Sequence, residues 1–218
     1  DTAMFSAVTS KFYTLSGSSG AFYLNQLSNV GVPDLTAGIA IPNNVIGTPT
    51  CLRLFNSVYF VCTSSGLWSS ADLTTWTLRY SGNVKFIAFG GGRYVICGTN
   101  FFAWSTDYIT WNNVTAYTDT FLRVRYDGTR FVAGSNTNVW ISTDGATWTS
   151  NAKPSGIGYM TDVISSGTRI VTKGFDNSGG ITYGIFYYSD DFGANWVSAG
   201  LSGDREGYVG TFAEYFSA

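Results

Sequence analysis

A short motif that recurs four times along the chain constrains its fold more than any other feature. Each copy contains a serine, an aspartate two residues later and a tryptophan four or five residues after the aspartate. Successive serines are separated by 35, 37 and 47 residues. Spacings of this size indicate a repeat architecture, in which each unit buries its apolar surface against its neighbours. The four copies occupy residues 70–76, 105–111, 142–148 and 189–196.

Apolar runs joined by tight turns accompany each copy of the motif. In the third unit two runs cover residues 84–89 and 93–97, and three glycines separate them. Glycine, Asn and Asp in such turns supply the positive φ that tight hairpins need. A third run at 101–105 and a fourth beginning near Trp111 complete the unit. Each unit is therefore predicted to be a four-stranded antiparallel sheet, with strands A, B, C and D in chain order and the motif in the C–D turn.

Sheets of this length and composition predict a β-propeller. Their runs are nearly continuously apolar, which is typical of strands covered on both faces, and a closed ring of sheets leaves only short edges. No segment has the apolar spacing of a helix. We therefore predict an all-β fold, a single five-bladed propeller domain of four-stranded antiparallel blades, with six blades and an incomplete last blade as the alternative. The predicted blades cover residues 1–47, 48–82, 83–116, 117–155 and 156–200, followed by a closing strand at 208–218.

The chain carries few charges and no histidine. Only 12% of its residues are charged, and the formal net charge is −2. Recognition of a phosphate backbone requires clustered Lys and Arg, which the sequence lacks, so no nucleic-acid partner is expected. The absence of histidine removes the usual general base and the usual zinc ligand. No cofactor is expected, and no apolar stretch is long enough to predict insertion into a membrane.

Neither the cysteines nor the acidic residues predict a disulfide scaffold or a metal site. The three cysteines are odd in number and show no CxxC spacing, and Cys62 and Cys97 lie in apolar runs typical of the core. The acidic segments at 176–177 and 190–191 do not fit the calcium-binding loop of an EF-hand. No metal-binding residues are predicted.

The four motif copies resemble the Asp-box repeat, also called the bacterial neuraminidase repeat. The copy at 189–196 matches the S-x-D-x-G-x-x-W form of that repeat, and the other three copies are one residue shorter. In that family the box is structural and lies on the face opposite the ligand site. The resemblance therefore implies a structural role for the box aspartates, and the box tryptophans are predicted to lie in the core: Asp72, Asp107, Asp144 and Asp191, with Trp76, Trp111, Trp148 and Trp196.

The composition as a whole resembles that of bacteriophage tail-fibre and receptor-binding domains. Such chains are rich in Gly, Ser, Thr, Asn and aromatic residues and poor in charge. This second resemblance implies a location in the virion, at the phage tail, within a larger oligomeric fibre.

Catalysis is not expected, although Asp-box propellers include sialidases. A sialidase needs three arginines around a carboxylate, a nucleophilic Tyr paired with a Glu, and an acidic Asp. The only glutamates are Glu206 and Glu214, near the C-terminus. Three arginines on predicted A strands are expected to pair with Asp side chains or to line a central channel: Arg53, Arg123 and Arg125. No catalytic residues are predicted.

Alternating strand directions place the A–B and C–D turns at one end of each blade. The B–C loops and the D–A crossovers (27–47, 113–119 and 150–159) lie at the other end, which carries the irregular segments 16–20, 98–101, 134–138 and 174–183. Loops held by a rigid scaffold are where binding usually occurs. The candidate ligand-binding residues at this B–C end combine planar polar groups with aromatic rings: Asn100, Phe101, Asn136, Asn138, Asp176, Asn177 and Tyr183.

A neutral surface of amides, hydroxyls and aromatic rings suits sugars, because rings pack on sugar C–H faces and planar polar groups bridge hydroxyls. The predicted function is a non-catalytic receptor-binding module that recognises a bacterial cell-surface glycan or polysaccharide. An oligomeric fibre would strengthen weak single sites through effective concentration. A protein-binding scaffold and a sialidase-like glycosidase are the alternatives.

Overall fold

The computed structural model is all-β in the part of the chain that it describes. The main chain is described for residues 2–6, 11–18, 21–27, 33–41, 45, 47–176 and 183–199, and the side chains for 45, 47–175 and 185–199. No helix long and apolar enough to cross a membrane occurs within these residues.

The described strands form five antiparallel sheets of four strands each, and strands that follow one another in sequence are neighbours in the sheet. The first sheet contains β1 (Thr2–Ser6), β2 (Lys11–Ser18), β3 (Ala21–Leu27) and β4 (Pro33–Ile41). The second contains β5 (Pro49–Phe55), β6 (Val58–Thr63), β7 (Gly66–Ser70) and β8 (Thr77–Ser81). The third contains β9 (Val84–Gly90), β10 (Arg93–Gly98), β11 (Phe101–Ser105) and β12 (Asn112–Val114).

The remaining two sheets repeat this order. The fourth contains β13 (Phe121–Tyr126), β14 (Phe131–Ser135), β15 (Asn138–Ser142) and β16 (Thr149–Ala152). The fifth contains β17 (Tyr159–Ser166), β18 (Arg169–Asp176), β19 (Tyr183–Ser189) and β20 (Val197–Ser198). The four-stranded antiparallel units predicted from the sequence are therefore present. The closing strand expected at 208–218, on which the six-bladed alternative also depends, lies outside the described residues.

The B strands of the second, third and fourth sheets are deeply buried, and so is the C strand β7. All five residues of β14 are buried, and so are five of the six residues in β6 and in β10. These strands have a neighbouring strand on each side within their sheet, and their apolar side chains are shielded from water on both faces of the sheet. The outer strand β8 is mostly exposed, which explains why D strands are polar and hard to recognise in the sequence.

Contacts divide the chain into two compact units. The first covers residues 1–87 and 108–111, and the second covers 88–107 and 112–218. In the first unit a buried cluster contains Leu52, Tyr59, Val61, Trp68, Leu73 and Trp76, together with Val45. In the second unit a buried cluster contains Val132, Val139, Ile157, Met160, Val163 and Ile170.

One segment expected to be a loop is mostly strand, and a second is strand at its two ends. The segment 134–138 was expected to be a B–C loop, but β14 continues to Ser135 and β15 begins at Asn138. In the segment 174–183, residues 174–176 belong to β18, and Asp176 pairs with Tyr183 of β19; the expanded loop expected here falls on 177–182, outside the described residues. Gly174 serves close packing within the sheet, because a Cβ there would lie 2.2 Å from the Tyr159 carbonyl oxygen.

The crossover expected at 27–47 also contains a strand. β4 pairs with β3 through partners such as Phe22 with Ile41 and Tyr23 with Ala40. This segment completes the first sheet without the box motif that marks the D strands elsewhere, so the sequence pattern did not reveal it. The other two predicted crossovers likewise begin within D strands, at β12 and β16.

Candidate ligand-binding cleft

The four motif copies, called the box turns from here on (70–76, 105–111, 142–148 and 189–196), share one hydrogen-bond pattern. In each turn the serine hydroxyl donates to Oδ1 of the aspartate, over distances of 3.0, 2.8, 3.0 and 2.7 Å in chain order. The serine oxygen also accepts the backbone N–H of the aspartate at 3.2 or 3.3 Å. A Ser–Asp pair therefore begins each turn in the same way.

The aspartate carboxylate then accepts backbone N–H groups farther along the turn. Asp72 Oδ1 accepts from Thr74 at 2.8 Å and from Thr75 at 2.7 Å. Asp144 Oδ1 accepts from Ala146 at 2.9 Å and from Thr147 at 2.8 Å. These N–H groups have no strand partner, and side-chain oxygens satisfy such donors in the manner of a helix cap.

These contacts favour the ionised form of the box carboxylates. The backbone N–H groups of Thr75 and Thr74 hold the pKa of Asp72 well below its usual range. The backbone N–H of Asn195 and the Ser189 hydroxyl lower the pKa of Asp191 to about 2. Burial opposes ionisation at Asp144, but the combined hydrogen bonds still lower its pKa. The carboxylates of Asp72, Asp144 and Asp191 are therefore charged at neutral pH.

The residue after each box aspartate has a left-handed backbone. The φ angles are 64° at Leu73, 52° at Tyr108, 72° at Gly145 and 61° at Phe192. Leu73 belongs to the buried cluster of the first unit, and Phe192 packs against that of the second. At Gly145 a Cβ would lie only 2.6 Å from Val95 Cγ2. The motif leaves this position variable, so its packing role could not be predicted from the sequence pattern.

A cleft of about 220 Å³ lies beside the first box turn, within the first unit. Ser69, Thr77 and Arg79 of β7 and β8 contribute to its lining, together with Asp72 and with Tyr108 from the second box turn. The cleft therefore opens at the end of the second sheet that carries the box turn. The irregular loops of the sequence and the Asp-box resemblance both predict a ligand site at the opposite, B–C end, so a site in this cleft departs from both predictions.

Arg79 and Tyr108 give the cleft its particular chemistry. The Arg79 Nε donates to Ser69 Oγ at 2.7 Å, and its guanidinium carbon lies 5.4 Å from the centre of the Tyr108 ring. Within the described residues the two Nη groups of Arg79 have no hydrogen-bonding partner and form no ion pair. The Tyr108 ring is held edge-on against Phe60, with centroids 5.4 Å apart. The Arg79 guanidinium therefore lies over one face of a ring that Phe60 holds in place.

The charges in the cleft balance. Arg79 supplies one positive charge and the ionised Asp72 supplies one negative charge, and the remaining polar groups are hydroxyls. The cleft is also smaller than drug-sized pockets, which have volumes of roughly 300–1,000 Å³. It suits a single neutral, hydroxyl-rich ring better than a large ligand or a polyanion.

The described candidates at the B–C end take part in the turns there. Asn100 is exposed with a φ of 63°, and its backbone N–H donates to the Asp119 carbonyl at 2.8 Å. Asn138 donates through Nδ2 to Ser150 Oγ at 3.1 Å. Asn136 is exposed and Phe101 is half-buried. Asp176 and Tyr183 face each other as the last ladder pair, their side chains are not described, and Asn177 lies outside the described residues.

Asp119 organises this end of the fourth sheet, which the sequence did not indicate. Its Oδ1 accepts the N–H of Thr120 at 2.7 Å, and its Oδ2 accepts the hydroxyls of Thr137, at 2.6 Å, and of Ser135. Ser135 Oγ in turn accepts from the Asn138 N–H and the Trp140 indole N–H. The turn between β14 and β15 is therefore built around one carboxylate and one hydroxyl.

Two arginines of β13 lie beside a buried aspartate of β17. Arg125 forms an ion pair with Asp162 at 3.1 Å, and Arg123 Nε lies 3.9 Å from the same carboxylate. Lys173 is buried nearby, and burial lowers its pKa while Asp162 opposes that shift. Arg53 instead lies over the Phe86 ring at 4.2 Å. No cluster of three metal-ligating side chains occurs among the residues that the structure describes.

Comparisons with known proteins establish the fold alone. No protein-family model matches the sequence, and no curated protein matches it. The WD40 β-propeller domain of Doa1 is similar in structure with a TM-score of 0.66 at 8% identity, over 90% of this chain and 66% of that one.

Two further solved structures show a similar relationship. The computationally designed Ika8 protein has a TM-score of 0.57 at 11% identity, over 89% of this chain and 59% of its own. The Pan2 WD40 domain of Neurospora crassa has a TM-score of 0.54 at 12% identity, over 85% of this chain and 64% of its own. This chain thus spans less than two thirds of the length of all three. The predicted fold class is confirmed: the protein is an all-β propeller of four-stranded antiparallel blades.

Proposed function

We propose that this propeller is a non-catalytic receptor-binding module that recognises a bacterial cell-surface glycan through the cleft that Arg79 and Tyr108 line. The observation that supports this proposal most strongly is the composition of the cleft. It places an aromatic ring, an available guanidinium, an ionised carboxylate and several hydroxyls around a volume of about 220 Å³. Sugar rings are recognised by this combination, because an aromatic face packs on C–H groups while planar polar groups bridge hydroxyls.

The rigidity of the cleft also supports binding. Asp72 is fixed by two backbone N–H groups and by the Ser70 hydroxyl, and Arg79 is fixed by Ser69. Groups held in place before a ligand arrives lose little conformational entropy when it binds. A small neutral site of this kind binds one saccharide weakly, so that presentation of several copies on an oligomeric fibre would raise the overall affinity.

The phage tail fibre is the proposed setting, and the box turns are proposed to be Asp-box repeats. Composition supports the first assignment: 12% charged residues, 17% aromatic residues and 26 glycines give a neutral, hydroxyl-rich and aromatic chain. The Ser–Asp hydrogen bonds common to all four box turns support the second. The genes on either side test the setting, because phage tail genes are expected there and an unrelated neighbourhood would contradict it.

Whole bacteria offer a direct test of the receptor class. Labelled protein is incubated with a panel of strains, before and after periodate oxidation of surface sugars and before and after protease treatment. We expect binding that periodate abolishes and protease leaves intact, without release of reducing ends from isolated polysaccharide. Binding that survives periodate but not protease would favour the protein-binding scaffold, and release of reducing ends would favour a glycosidase.

A further inference from the structure

Two of the three cysteines face each other across the A–B hairpin of the second sheet. Cys51 of β5 and Cys62 of β6 are direct partners in the antiparallel register. The Cys51 thiol donates to Cys62 Sγ over a distance of 3.0 Å, and both residues are completely buried. A register shift between Pro49 and Cys51 precedes this pair along β5. The two thiols are therefore adjacent because of the strand pairing itself.

We infer that Cys51 and Cys62 are a redox-active pair that closes into a single cross-strand disulfide when the protein meets an oxidant. Directly opposed residues of antiparallel strands have Cα atoms roughly 4.5–5.5 Å apart, depending on the pair type. That range falls within the roughly 4.4–6.8 Å that disulfides span. The sulfur atoms already touch, so closure requires side-chain adjustment without a rearrangement of the sheet.

The reaction needs a low-molecular-weight disulfide as the oxidant, for example oxidised glutathione. One cysteine thiolate attacks a sulfur of the oxidant, forms a mixed disulfide and releases one glutathione thiolate. The second cysteine thiolate then attacks the protein sulfur of the mixed disulfide and releases the second glutathione thiolate. The two protein thiols lose two electrons and two protons, and the oxidant is reduced to two thiols.

Burial determines when this reaction takes place. Neither sulfur is exposed, so a soluble oxidant reaches the pair only while the hairpin is unpacked, during folding or in a transient opening. Folding in an oxidising buffer is therefore expected to give the disulfide readily, whereas the folded, reduced protein is expected to react slowly. The closed form ties β5 to β6 and is expected to unfold at a higher temperature than the reduced form.

Cys97 provides an internal control. It is also fully buried, but it lies in β10 of the third sheet. The tryptic fragments separate all three cysteines, because cleavage after Lys11, Arg53, Arg79, Arg93 and Arg123 yields peptides 12–53, 54–79 and 94–123. A linked species of 12–53 with 54–79 identifies the proposed disulfide unambiguously.

The experiment refolds the reduced protein in a glutathione buffer, blocks free thiols with N-ethylmaleimide in denaturant and maps the peptides by mass spectrometry without reduction. We expect one modified thiol, on Cys97, and the linked pair 12–53 with 54–79. The C97S variant is expected to form the same link, with no modified thiol left, and the C51S and C62S variants are expected to form none. Three modified thiols in the wild type, or a link to peptide 94–123, would overturn the inference. The outcome does not depend on whether the cleft binds a glycan.

Discussion

The indole of Trp148 stacks on the ring of Phe102, with centroids 3.9 Å apart and planes 6° from parallel. Trp148 closes the third box turn, and Phe102 belongs to β11 of the preceding sheet. The Trp148 indole N–H also donates to the Gly145 carbonyl at 3.2 Å. One side chain therefore links its own turn to the neighbouring sheet within the second unit.

Replacing Trp148 by Ala is expected to cost about 3–5 kcal/mol of unfolding free energy, the range for a buried Trp truncated in a core. Urea denaturation followed by circular dichroism measures the loss. Trp104→Ala serves as the control, because Trp104 is only partly buried and its removal is expected to cost less. A loss below that of the control would show that the stacked pair adds little to stability.

The box aspartates are predicted to stabilise turns, and Asp144 is the clearest case. Asp144→Ala removes an acceptor of two backbone N–H groups. By analogy with other side-chain caps, the change is expected to lower the unfolding free energy by about 1–2 kcal/mol. Asp144→Asn retains an acceptor oxygen and is expected to lose less. Unchanged stability combined with lost ligand binding would contradict the structural role.

Acid is expected to destabilise the protein partly through Asp191. The folded pKa of Asp191 is about 2, and an unfolded Asp titrates at about 3.9. Because the pKa is lower in the folded state, the ionised carboxylate stabilises the fold at pH values above the pKa of the unfolded state. This contribution is lost as the pH falls through the pKa of the folded state. Between pH 5 and pH 2 the urea midpoint of the wild type should therefore fall more than that of Asp191→Asn. Parallel pH profiles would contradict this.

Gly174 is expected to tolerate no side chain. A Cβ at this position would lie 2.2 Å from the Tyr159 carbonyl oxygen and 2.5 Å from Ile157 Cγ2. Gly174→Ala is therefore expected to lower the unfolding free energy by about 1–3 kcal/mol through overpacking. Gly167→Asn is the matched control, because Gly167 has open space around it and Asn adopts its positive φ of 62° at little cost. Equal stability of the two variants would argue against close packing at Gly174.

The strands of the repeat were largely readable from the sequence. Residues 84–89, 93–97 and 101–105 were predicted as strands, and β9, β10 and β11 begin where expected and end within one residue of the prediction. The apolar runs and glycine turns that mark these strands depend on local chemistry alone. β4 was missed because the first sheet has no box tryptophan to mark its outer strand.

The position of the cleft was harder to predict from the sequence. Arg79 and Tyr108 are 29 positions apart in the chain and are brought together only by the packing of one box turn against the preceding sheet. The motif allows any residue after each aspartate, so the sequence pattern did not indicate where the Tyr108 side chain lies. The glycines of the segment 174–183 predicted an expanded loop, but Gly174 lies in β18, where a Cβ would lie 2.2 Å from the Tyr159 carbonyl oxygen; residues 177–182 lie outside the described part of the chain.

The binding affinity of Arg79→Ala for a surface polysaccharide tests the central claim most directly. Arg169→Ala is the control, because Arg169 is an exposed arginine paired with Asp190 in the second unit. The double change Asp176→Ala with Tyr183→Ala tests the competing prediction of a B–C site. For a polysaccharide that the wild-type protein binds, titration calorimetry should show at least about tenfold weaker binding by Arg79→Ala. This corresponds to a loss of about 1.4 kcal/mol of binding free energy. Its melting temperature and the affinity of the two comparison variants should be unchanged. Wild-type affinity in Arg79→Ala, with binding lost in the double variant, would place the site at the B–C end and contradict the account.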